Sequence, residues 1–127
     1  MSEARNAVIS DIHRLMASGQ LLRDQLLESR KGFEKGLDLL DQDMPLGQAL
    51  AELNTADRRE RMTDLLAEFD ECRHRLRISI TAAGLEEGMS IGDISRAFGV
   101  SRQLAARFAK EVRDQTGPAE PPAATAP

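Results

Sequence analysis

The sequence predicts an all-α protein: a long N-terminal helical hairpin of coiled-coil character, then a three-helix unit containing a helix-turn-helix, then a disordered tail. Three observations carry this. Apolar residues recur at three- and four-residue steps from Val8 to Phe33 and again from Met62 to Ile80. Turn-forming residues separate these periodic stretches, most clearly in the run from Asp41 to Gly47. The stretch Met89 to Arg113, MSIGDISRAFGVSRQLAARFAKEVR, has the pattern of two short helices joined by a tight glycine turn.

The first helix is read from Val8, Ile12, Leu15, Leu22, Leu26 and Phe33, which follow heptad spacing interrupted at Gly19 and Ser29. Gly32 and Gly36 are expected to weaken it, and Asp41-Gln42-Asp43-Met44-Pro45-Leu46-Gly47 to end it. Leu46 to Leu53 suits one short helix. Thr55 is a reasonable cap for a second long helix, whose stripe is Met62, Leu65, Leu66, Phe69, Cys72, Leu76 and Ile80. Residues 1–71 thus form the hairpin, residues 72–113 the helix-turn-helix region, and residues 114–127, rich in Pro and Ala, a tail without apolar periodicity.

With four Phe, no Trp and no Tyr in 127 residues, one copy of the hairpin looks underfilled. Pairing with a second copy covers the remaining stripe, so a homodimer through Val8, Ile12, Leu15, Leu22 and Leu26 is expected. Such a dimer would place two copies of the C-terminal unit about one DNA turn apart, roughly 34 Å, and favour a palindromic site.

Within the C-terminal region, Ser90 and Asp93 are spaced for a reciprocal cap on the orphan amides of a helix start. Ile91, Ile94 and Phe98 then share one face, and Gly99 stands where the chain must leave the helix at positive φ. Val100 can plug the gap between the helices and Ser101 can cap the second one. Leu104, Ala105, Phe108 and Val112 give that helix its buried side; Arg102, Gln103, Ala106, Arg107 and Lys110 occupy the other. A face mixing bidentate donors, an amide and a small residue suits the major groove, where Arg matches guanine and Gln matches adenine.

Here the segment resembles the bacterial helix-turn-helix family, which includes transcriptional regulators and the small DNA-binding ends of site-specific recombinases. The resemblance covers roughly a quarter of the chain and is carried by Ile94, Phe98, Gly99-Val100-Ser101-Arg102-Gln103, Arg107 and Phe108. It implies double-stranded DNA as the ligand. Base contacts would come from Ser101, Arg102, Gln103, Ala106, Arg107 and Lys110, and backbone contacts from Ser90, Arg96 and Arg77. Two positions depart from the pattern: Ser95 stands where a small residue, most often Ala, is usual in the first helix, and Ala105 where a branched apolar residue is expected in the second.

Charge supports the assignment once it is divided along the chain. The whole is acidic, 17 Lys and Arg against 21 Asp and Glu, a net of -4. Residues 72–113 nevertheless carry eight basic and four acidic side chains, whereas residues 1–71 carry nine basic and fifteen acidic ones. One end therefore suits phosphates and the other does not. The run Cys72-Arg73-His74-Arg75-Leu76-Arg77 supplies part of the basic excess, its arginines reaching either DNA or nearby carboxylates such as Asp70 and Glu71.

The other features narrow the field. Cys72 falls on an apolar stripe and reads as a small core residue. His13 and His74 have no partners at metal-ligand spacing, so no metal and no cofactor is expected. There is no phosphate-cradling glycine loop, no nucleophile elbow and no histidine beside an oriented nucleophile, so no enzymatic activity is expected. Glu3 and Arg5 stand where a signal peptide needs apolar residues, and no run of about 18 apolar residues occurs, which suits a cytoplasmic, nucleoid-associated protein without a membrane partner. The expected function is sequence-specific DNA binding by a dimeric bacterial transcriptional regulator. The alternatives are a protein-interaction module working through the acidic N-terminal helices and a nonspecific nucleoid-associated protein.

Overall fold

The computed structural model describes residues 2–116, which form five helices: α1 (Glu3–Asp41), α2 (Leu46–Glu52), α3 (Thr55–Glu86), α4 (Ile91–Phe98) and α5 (Arg102–Thr116). No strand occurs among the described residues. Asp114, Gln115 and Thr116, expected to belong to the tail, continue α5; the rest of the expected tail, residues 117–127, lies outside the described residues. The described residues divide into two compact units, one of His13–Arg73 and one of residues 2–12 with residues 74–116. The boundary expected at residue 72 therefore falls inside α3, which runs unbroken through it.

In the unit His13–Arg73, α1 continues through Gly32 and Gly36, contrary to the expectation that these glycines weaken it. Both are buried, together with Ser18, Gln25 and Leu39. The positions 18, 25, 32 and 39 repeat every seven residues, so the packed edge of α1 is a heptad seam built largely from small and polar side chains. A Cβ on Gly32 would lie 2.8 Å from Nη1 of Arg58, and one on Gly19 would lie 3.4 Å from the ring of Phe69. Close approach of α3 side chains to the α1 backbone is what these glycines allow, and it offsets their low helix propensity.

The buried amide of this seam is paired. Arg61 Nε donates to Oε1 of buried Gln25 at 2.9 Å. Arg58 ties three helices together: its Nε donates to the Leu53 carbonyl after α2 at 2.7 Å, and its Nη1 to the Glu28 carbonyl of α1 at 3.3 Å. Arg58→Ala is expected to cost about 1 to 3 kcal/mol, since bonds to a charged donor are lost and carbonyls are left poorly satisfied. Urea unfolding at unchanged m-value is the check.

Turn chemistry explains the joints. Asp43 (φ 60°) and Asn54 (φ 57°) take the left-handed conformation that Asp and Asn tolerate best among residues with a Cβ. Thr55 is the first residue of α3, and its hydroxyl donates to the Leu50 carbonyl at 2.9 Å instead of capping its own helix. Cys72 is buried, as its place on the stripe required.

In the second unit, the last turns of α3 are its centre: Ile78, Ser79, Thr81, Ala83 and Gly84 are all buried. The hydroxyl of Thr81 is satisfied within the helix, donating to the Arg77 carbonyl at 2.8 Å. α3 extends to Glu86, and Gly88 (φ 94°) turns the chain while the Met89 amide donates to the Gly84 carbonyl. Ile94 from α4 and Ala105, Phe108 and Ala109 from α5 complete the core. The rings of Phe98 and Phe108 meet edge to face with centroids 6.0 Å apart. At the surface, Arg5 pairs with Glu87 at 2.5 Å and His74 Nε2 lies 2.8 Å from Glu111.

Candidate nucleic-acid interface

The candidate interface is built on α4, the turn after it and α5. Ser90 and Asp93 form the reciprocal cap: the Asp93 amide donates to the Ser90 hydroxyl at 3.0 Å, and the Ser90 amide to the Asp93 carboxylate at 2.9 Å. The Ser90 amide, then its hydroxyl and the neighbouring Arg96, holds the Asp93 carboxyl below the usual range. A lowered carboxyl pKa adds stability that is complete above the unfolded value and is lost as pH falls through the folded one. Helicity of α4 is therefore expected to fray only at strongly acidic pH, and Asp93→Asn to remove that step in an NMR-monitored acid titration.

α4 ends at Gly99 (φ 69°, ψ 35°), whose amide donates to the Ser95 carbonyl. The Val100 amide shares that acceptor at 3.1 Å. An L side chain in this conformation costs roughly 1 to 2 kcal/mol, so Gly99→Ala is expected to lower stability by about that amount. Ser101 caps α5, accepting from the Leu104 amide at 3.1 Å.

Both departures from the helix-turn-helix pattern have a physical account. Ser95 is buried, and its hydroxyl donates to the Val100 carbonyl at 2.6 Å, so it pins the turn to α4 in a way alanine cannot. Ala105 is fully buried, with 0% exposure, which is the signature of close helix approach where a branched residue would need more room.

With α5 seated on Leu104, Ala105, Phe108, Ala109 and Val112, its opposite side stands in solvent. Arg102, Gln103, Ala106, Arg107 and Lys110 are all exposed, as is Ser101. Lys110 makes a loose ion pair with Asp114 at 3.7 Å. Of the expected backbone-contact residues, Ser90 and Arg96 are exposed, Arg96 beside Asp93 at 2.7 Å, and Arg77 is half-buried on α3.

One feature of the site had no sequence signal. Gly92 is buried, and a Cβ there would lie 2.8 Å from Nη2 of Arg102 and 3.4 Å from Nη1 of Arg96. Two guanidiniums from different helices thus converge over the first turn of α4.

The expected dimer residues divide between two environments. Val8, Leu15 and Leu22 are half-buried, whereas Ile12 and Leu26 are exposed. Among the arginines upstream of the head, Arg73 pairs with Asp70 at 3.2 Å. No described helix is long and apolar enough to cross a membrane. Compared with known proteins, the chain matches no protein family, no curated protein and no solved structure.

Proposed function

We propose that this chain binds double-stranded DNA sequence-specifically, as a dimeric bacterial transcriptional regulator acting in the cytoplasm on the nucleoid. The single observation that carries the reading is the division of α5 into a side packed on the core and a side exposing Arg102, Gln103, Ala106, Arg107 and Lys110. Gln103 and Arg107 would enter the major groove and bond adenine and guanine edges, with Ser101, Ala106 and Lys110 beside them. Arg96 and Arg102, converging over Gly92, suit a phosphate, and Arg77 and Ser90 extend the backbone contacts. Arg102 is thus assigned to the boundary between base and backbone reading. Regulation would follow from occupancy of the site.

The test is salt dependence. Binding to duplex DNA should fall steeply as salt rises, and Arg96→Ala should make the logarithmic slope shallower by about 0.9, the value of one phosphate contact. A slope unchanged in Arg96→Ala and in Lys110→Ala would place the cationic face away from the phosphates.

A second reading is favoured by one observation. Leu26, Leu37 and Phe33 on α1 are large, apolar and more than half exposed, which suits a protein-interaction module. Affinity for such a partner would depend weakly on salt.

A further inference from the structure

The unit His13–Arg73 leaves an unusual amount of apolar surface in solvent. Leu26, Leu66 and Phe33 are 55%, 50% and 73% exposed and border one groove of about 520 Å³ between α1 and α3, with Met62 and Leu53 also lining it. Leu37 and Leu40, 66% and 47% exposed, continue from Phe33 at helical spacing as a ridge on α1. These five large side chains expose on the order of 600 Å², taking about 200 Å² for each when fully exposed. That is the upper end of what a lone soluble chain carries as one apolar patch, and a standard interface takes about 800 Å² from each partner.

We infer that this face seats a second copy of the same chain, related by a two-fold axis with Phe33 near its centre. The inference rests on the dimeric reading above and names its surface. Two properties point to self-pairing. First, the unit carries both halves of a fit, the ridge of Phe33, Leu37 and Leu40 and the groove of Leu26, Met62 and Leu66, so an isologous contact buries both at once. Secondly, the charges beside them differ in sign: Asp38 and Asp41 flank the far end of the ridge, where Glu34 is paired with Arg30 and Lys35 stands nearer Phe33, while Arg58 and Arg59 border the groove. A two-fold operation brings the acidic end of each ridge toward the partner's basic rim.

This surface differs from the one the periodicity suggested. Leu15 and Leu22 are half-buried within a single chain, and of the residues expected from this unit only Leu26 lies in the groove.

The experiment is sedimentation equilibrium of the full-length protein and three variants, with circular dichroism confirming helicity. Phe33→Glu and Leu37→Glu should each raise the dimer dissociation constant by at least about 100-fold, as expected for an anchor repeated across a two-fold axis. Leu27→Glu alters a residue 53% exposed on α1 but outside the groove, and should leave the dimer intact. A monomeric wild type, a dimer indifferent to both ridge variants, or equal dissociation by Leu27→Glu would each overturn the inference. Anisotropy with random-sequence duplex on the same samples separates it from the DNA reading. A Phe33-dependent dimer without DNA affinity would keep the interface and remove the reader, and a monomer that binds duplex would do the reverse.

Discussion

Arg107→Ala is expected to weaken binding to the preferred DNA site by about 5- to 150-fold, the equivalent of about 1 to 3 kcal/mol for one bidentate base contact. Binding to random duplex should change far less. The reason is geometric. Arg107 stands in the middle of the exposed side of α5, nearly two turns past the cap at Ser101, where the side chains of a reading helix meet base edges. The packed side beneath it is rigid, because Ala105, Phe108 and Ala109 are buried with little freedom to shift. Competition titrations against a selected site and against random sequence measure the ratio directly. Equal losses on both would make Arg107 a phosphate contact and transfer the reading role to Gln103.

Phe108→Ala should have the largest effect on stability, about 3 to 5 kcal/mol for a buried aromatic replaced by alanine. Its ring is only 4% exposed and meets Phe98 edge to face, so truncation removes apolar burial, leaves a cavity and breaks the ring contact between α4 and α5. Since a domain of this size is stable by about 5 to 15 kcal/mol in total, much of its margin disappears. Thermal unfolding should shift markedly downward, and DNA binding should be recovered at low temperature where the variant still folds. A Phe108→Ala protein with unchanged melting would mean that α4 and α5 do not form the core described.

Which parts of this were legible in the sequence follows from how each residue does its work. Caps and turns act locally, so Ser90 with Asp93, Gly99 and Ser101 announced themselves, and the bounds of α4, the turn and α5 were readable almost to the residue. α2 was legible for the same reason, its proline and glycine standing beside a short apolar run. The inner edge of α1 was not. Its seam is Ser18, Gln25, Gly32 and Leu39, of which only the last is a large apolar residue, so it carries almost no hydrophobic periodicity, while the stronger apolar signal of Ile12, Leu26 and Phe33 belongs to surface that a single chain leaves exposed. Periodicity reports which residues seek burial, but it does not say against what.

Long-range polar contacts were equally silent. Arg58 reads as one more charge on a solvated helix, and nothing local shows that its guanidinium lies on Gly32 and reaches two carbonyls of other elements. Ser95 looked like a flaw in the pattern because its value lies in a bond to Val100 across the turn. The pairing of Arg102 with Arg96 over Gly92 required the angle between α4 and α5, which no sequence spacing supplies.

The most direct test of the central claim is selection of bound sequences from a random duplex pool by the full-length protein, followed by anisotropy on the enriched sequence with wild type and with Arg102→Ala/Arg107→Ala. A DNA reader should enrich one palindromic sequence with half-sites about one helical turn apart. Affinity should fall with rising salt, and the double variant should lose discrimination. Absence of any binding at low salt would contradict the account, and binding without enrichment would reduce the protein to a nonspecific DNA-coating role.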